Sequence, residues 1–283
     1  DGEVRVIDPE SGGAVELPVE VRTSVRASGS LHFHPDGRRL LGNLRASARG
    51  GPPGRSAGLA WLDLETGRAT PLLDPPRAVK AWCLSPDGER IAFATDQDRP
   101  GDQDGNNGPR MDVWTAPASG GAPAKLFSWR SRVFAMAWGG GDLFFSTDLG
   151  GAHNDVWKIS VTDPTRAQKL TSGQADEDGP SVAAGGPAGG PWLVHTDNRE
   201  GATALVLLDL ASGDDRLLPV ASIDFGEPAG VLRLEVREKG TGRPLTARVS
   251  IERVGGKFHA PPGALHRAHG GLGHFYARGR AEL

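Results

Sequence analysis

The chain has 283 residues, including 41 glycines, 22 prolines and one cysteine, and a formal net charge of −3. That length allows one large or two modest domains, and the glycine and proline content is that of a turn-dense β protein. One cysteine excludes an internal disulfide, no apolar run reaches the roughly 18 residues of a membrane helix, and the acidic balance of residues 1–230 (31 Asp and Glu against 22 Lys and Arg) offers no electrostatic footprint for nucleic acid.

The first element is VRVIDPESGGAVEL, from Val4. Apolar and polar residues alternate, break at Asp, Ser and Gly, then alternate again. A period of two interrupted by turn residues predicts a β-hairpin. The same pattern returns as LAWLDLETGRATPL from Leu59, DVWTAPASGGAPAKL from Asp112, DVWKISVTDPTRAQKL from Asp155 and LVLLDLASGDDRLL from Leu205. Self-similarity at about 40–50 residues is the signature of repeat architectures, β-propeller blades among them.

A second hairpin precedes four of the copies. LHFHPDGRRLLGN from Leu31 and AWCLSPDGERIAFATD from Ala81 show it clearly, and VFAMAWGGGDLFFSTD from Val133 and PWLVHTD from Pro191 less so. Pro-Asp-Gly at 35–37 and 86–88 explains the turn: proline presets φ, aspartate bonds the backbone ahead, and glycine takes the positive φ. Two hairpins make one four-stranded blade. The fold class expected is all-β, a propeller over residues 1–222 followed by a small β-sandwich over 229–283. The Val4 copy lacks an inner hairpin, so the count predicts four blades and a half, arranged as an open arc with further blades upstream of Asp1.

SPDGERIAFATD (Ser85 to Asp96) followed by DVWTAPASGG (Asp112 to Gly121) resembles the TolB-type propeller repeat. The resemblance covers roughly residues 1–220. Propellers of this kind serve as scaffolds, substrate gates and partner-binding discs.

Residues 231–283 reverse the charge balance, with 10 Lys and Arg against 4 Asp and Glu. VLRLEVR (231–237) and TARVSIERV (246–254) alternate around the turn KGTGRPL, the opening of a small sandwich. Ala247-Arg248-Val249, the turn Gly256 to Pro261, Arg267 and His274-Phe275-Tyr276 resemble the domain between the propeller and the catalytic domain of CehA/McbA-like metallohydrolases. Gly255 stands where that family has Asp, and His259 where it has Tyr. The resemblance implies the non-catalytic front of a secreted or periplasmic hydrolase. The divalent metal and catalytic residues would then lie beyond Leu283. Partners on this reading are a protein, or the peptide-like or small-molecule substrate of the parent enzyme. A stand-alone interaction module and the gating propeller of a tricorn-like or prolyl-oligopeptidase-like protease are the alternatives. The start at Asp1, with neither methionine nor signal peptide, fits a removed leader or a piece of a longer protein.

Within the chain the ion candidate is DQDRPGDQDGNNG, where Asp102, Asp104 and Asn106 have the 1-3-5 spacing of a calcium loop. Asn107 and Val113 stand where such a loop needs Gly and Glu, so a polar connection between strands is the plainer reading. His32-x-His34 is a ligand-like pair, but its alignment with WCLSPDG puts His34 at the Ser85 position of a blade turn. The tail histidines His259, His266, His269 and His274 match no zinc spacing. No G-x-S-x-G elbow is present. Trp61, Trp114 and Trp157 share one repeat position and are expected to pack between blades. Trp129 lies off the repeat beside Arg130 and Arg132, and these three are the expected exposed binding face.

Overall fold

The computed structural model describes residues 6–8, 10–15, 25–46, 56–73, 77–97, 110–149, 151, 153–185, 190–200, 203–219, 230–252, 258–261, 264–269 and 272–283. Every regular element among them is a β-strand. The chain divides into two compact units, Asp1–Leu218 and Pro219–Leu283.

The first unit opens with a short hairpin of β1 (Val6–Ile7) and β2 (Ala14–Val15). Blade 1 follows as β3 (Val25–Phe33), β4 (Arg39–Ala46), β5 (Ser56–Asp63) and β6 (Ala69–Pro71). Blade 2 is β7 (Ala81–Leu84), β8 (Arg90–Thr95), β9 (Met111–Pro117) and β10 (Ala124–Trp129). Blade 3 is β11 (Ala135–Gly139), β12 (Asp142–Thr147), β13 (Asp155–Ser160) and β14 (Ala167–Lys169). Blade 4 is β15 (Glu177–Ala183), β16 (Trp192–Asp197), β17 (Ala204–Asp209) and β18 (Asp215–Leu218). Each blade is an antiparallel sheet in chain order, and the β1–β2 hairpin forms a separate two-stranded sheet that does not complete blade 4.

The turn chemistry works as the residues dictate. In the outer turns, the Asp8, Asp63 and Asp209 carboxylates accept hydrogen bonds from the backbone two and three residues ahead, at 2.7–3.2 Å. Gly12, Gly67 and Gly213 then take positive φ. In the inner turn of blade 2, Ser85 donates to the Asp87 carboxylate at 2.5 Å and Gly88 takes φ +76°.

The core lies between blades rather than within them. Leu41, Leu59 and Trp61 of blade 1 pack on Trp82, Ile91 and Phe93 of blade 2. Cys83, Met111 and Val113 of blade 2 pack with Met136, Phe145 and Ile159 of blade 3. Phe144 and Val156 of blade 3 meet Leu193 and Leu208 of blade 4. Val6 of the first hairpin rests on Leu40, Leu44, Ala60 and Leu62, the other face of blade 1. Alternation of side chains across a strand supplies each blade with two such faces. No helix among the described residues is long and apolar enough to cross a membrane, a finding that says nothing about β-barrels.

The second unit is one sheet among its described residues. β19 (Arg233–Glu235), β23 (Arg280–Glu282), β22 (Leu272–Arg278) and β20 (Thr246–Val249) lie in that order, and β21 (His266–His269) also pairs with β22. Phe275 and Ala277 bury one face of it.

Candidate functional site

The inner and outer turns of the blades gather at one end of the strands. There, β11 of blade 3 runs through Trp138 to its last residue, Gly139, and turns through Gly140 and Gly141 into Asp142. Gly140 takes φ +59°, a region open to glycine at no steric cost. Gly139 is needed for a different reason: a Cβ built on it would lie 2.4 Å from Cγ1 of Val182 on β15. The two blades therefore approach closely at this turn and splay beside it. The space left is a cleft of about 740 Å³. Trp138, Phe144 and Val182 give it an apolar wall, while Asp87, Asp142 and Lys158 supply its charges.

Those charges are largely balanced within the protein. Lys158 Nζ lies 3.6 Å from the Asp142 carboxylate. The Ser85 hydroxyl bonded to Asp87, helped by backbone N–H groups, holds that carboxyl below the usual carboxylate range. Arg90 lays its guanidinium over the Trp138 ring, 5.4 Å from the centroid, and donates to Thr115 Oγ1. A cleft with an aromatic wall and a neutralised rim selects by shape and apolar contact, with a few polar groups to orient what enters.

Trp138 and Val182 also line a second cavity, of about 360 Å³, bounded by the first strands of all four blades. This is the shaft of the propeller. His32 faces it from β3, and its Nε2 has no hydrogen-bond partner among the described residues. Burial pushes the His32 imidazole below its ordinary pKa. Cys83 borders the same space, but burial pushes its thiol far up, so it is no thiolate nucleophile.

The structure places the sequence candidates differently. Trp129 is buried, not exposed: it is 8 % accessible, its indole N–H donates to Thr147 Oγ1 at 2.9 Å, and it meets Phe145 and Trp157 edge-on. The reason is that Trp129 closes the last strand of blade 2, where its ring fills the seam with blade 3. Arg130 is exposed, and Arg132 pairs with Asp148 at 2.5 Å. These three residues form no joint surface with the cleft. Asp102, Asp104 and Asn106 fall outside the described residues. His34 sits in the blade turn, hydrogen-bonded to Asp36 and Arg39 and edge-on to Trp61. Among the described residues, no group of three or more His, Cys, Asp or Glu is arranged to hold a metal ion.

The cleft is assembled from turns of different blades, so no local sequence pattern marks it. Its one trace in the sequence is the triple glycine 139–141, where the two clear copies of the inner hairpin read Pro-Asp-Gly.

No protein-family model matches the chain, and no curated protein matches it. Solved structures do. TolB from Agrobacterium tumefaciens aligns with a TM-score of 0.52 at 13 % identity, over 73 % of this chain and 69 % of that one. TolB from Acinetobacter baumannii aligns with a TM-score of 0.50 at 15 % identity, over 90 % of this chain and 56 % of that one. Identities this low speak for fold alone: the chain has the four-stranded blades of a TolB-like β-propeller.

Proposed function

We propose that this chain is a propeller scaffold and binding module, the non-catalytic front of a secreted or periplasmic metal-dependent hydrolase. In it, the cleft between blades 3 and 4 holds an apolar segment of a substrate or partner. The observation that carries this reading is the Trp138–Phe144–Val182 wall opening directly beside the shaft. An apolar, partly enclosed cleft with a few placed polar groups is the usual form of a ligand site. The resemblance of residues 229–283 to the sandwich of CehA/McbA-like enzymes supports the hydrolase context and, with it, the secreted location.

The test is capture by immobilised protein. Wild type and a Phe144→Ala, Lys158→Glu double variant are exposed to peptides displayed as a random library. The reading expects enrichment of apolar sequences on wild type and none on the folded double variant. Equal enrichment on both proteins, or none on wild type, contradicts it.

A further inference from the structure

The Thr-Asp pair ending the second strand of a blade occurs three times, as Thr95-Asp96, Thr147-Asp148 and Thr196-Asp197. Extending the ladders from these pairs aligns three positions at the start of the neighbouring first strand: Val79 and Val133, two residues before β7 and β11, and Glu177, the first residue of β15. All three are buried, at 5 %, 2 % and 2 % accessible. Blades 2 and 3 thus seal their seams with a valine, and blade 4 puts a carboxyl there.

The surroundings make the exchange more consequential. Asp155 on β13 faces the same seam and pairs with Lys169 at 2.8 Å. Asp197, opposite Glu177 on β16, pairs with Arg199, which also reaches Asp215 at 2.8 Å. Asp155 thus has Lys169, and Asp197 shares Arg199 with Asp215. Among the described residues the Glu177 carboxyl accepts a side-chain hydrogen bond from the Thr171 hydroxyl alone, at 3.3 Å, and Arg199 attracts it without forming an ion pair. The remaining groups around it are Asp176, Asp178, which accepts from Ser146 of blade 3, and His195, buried two residues from Asp197. When all are ionised, the carboxylates of this seam outnumber Lys169 and Arg199, and Glu177 is the buried one with no ion pair.

We propose that the seam between blades 3 and 4 is a proton-operated latch: protonated Glu177 lets blade 4 close on blade 3, and ionised Glu177 loosens the seam and opens the cleft at its far end. The link is β15 itself. It carries Glu177 at one end and, beyond a register shift between Asp178 and Ser181, the cleft residue Val182 at the other. That this motion governs binding rests on the cleft being the ligand site.

The direction of the effect follows from the chemistry. Burial, with Asp155 and Asp197 adding to it, raises the Glu177 carboxyl above its ordinary 4.5. The seam is at full strength below pH 4.5 and weakens as pH rises through the raised value. His195 works oppositely: burial lowers its pKa below 6.5, so the stability it contributes is present above 6.5 and lost as pH falls. Comparison with a Glu177 variant cancels the His195 contribution.

Amide hydrogen exchange, corrected for intrinsic rates, reads the latch on the free protein. Wild type, Glu177→Gln and Glu177→Val are compared at pH 4 and pH 7.5. The second variant restores the residue found in blades 2 and 3, so it keeps the test valid if glutamine disturbs folding. Protection of β15 and β16 should fall about tenfold or more in wild type between the two pH values, and by less than half as much on the logarithmic scale in either variant. An equal fall in wild type and both variants, or no fall in wild type, overturns the latch. Because no ligand is added, its failure is separate from failure of the cleft to bind: a pH-dependent seam with an empty cleft would uphold the latch and refute the binding reading.

Discussion

Trp61 donates its indole N–H to the backbone carbonyl of Ala118 at 2.7 Å, tying blade 1 to the outer turn of blade 2. The two residues are 57 positions apart, so the bond is a tertiary clamp between repeats. Trp61→Phe keeps most of the apolar area and leaves the carbonyl without this donor. The expected loss is about 1–3 kcal/mol, the cost of a buried polar group left unpaired. Urea denaturation of the two proteins measures it.

Trp129 should behave as a core residue. Its truncation removes edge contacts to Phe145 and Trp157 and strands the Thr147 hydroxyl. Trp129→Ala is expected to cost about 3–5 kcal/mol, as large aromatic truncations in cores do. Arg130→Ala, at an exposed position, should change stability by less than about 0.5 kcal/mol. Thermal unfolding of both variants separates the readings: similar small shifts would restore Trp129 to the surface.

The contrast shows what the sequence carries and what it does not. Asp63, Asp209, Pro86 and Gly88 announce their turns because the signal is local, a side chain bonding its own backbone within three residues. The blades follow from repetition of such signals. Trp129 misleads because its neighbours Arg130 and Arg132 are polar, and only the three-dimensional placing of Asp148 shows where Arg132 goes. Glu177 was legible in principle, by aligning it with Val79 and Val133, but only once the register of β15 against β16 was known.

Gly139 tests the close approach of blades 3 and 4. Gly139→Ala puts a methyl 2.4 Å from Val182 Cγ1 and should destabilise by about 1–3 kcal/mol. Adding Val182→Ala removes the clashing Cγ1 methyl and leaves only the 2.9 Å approach of its Cβ, so the double variant should be more stable than the sum of the two single effects predicts. A double-variant cycle with no coupling would show that the two residues do not touch.

Cys83 reports on the shaft. Its side chain is 1 % accessible and its thiol is held protonated by burial. The native protein should resist a disulfide reagent such as DTNB at pH 8 and titrate one thiol after denaturation in guanidinium. Rapid stoichiometric reaction of the native protein would mean that the shaft admits a molecule of that size.

A photo-crosslinker at the rim of the cleft tests binding there most directly. A benzophenone amino acid is placed at Lys158, beside the cleft, and in a second protein at Arg216, on the outer strand of blade 4. Irradiation in an extract of the source cells should give a discrete adduct from position 158 that Phe144→Ala weakens severalfold, and none of the same mass from position 216. The same adduct from both positions, or an adduct at 158 indifferent to Phe144, would contradict the account.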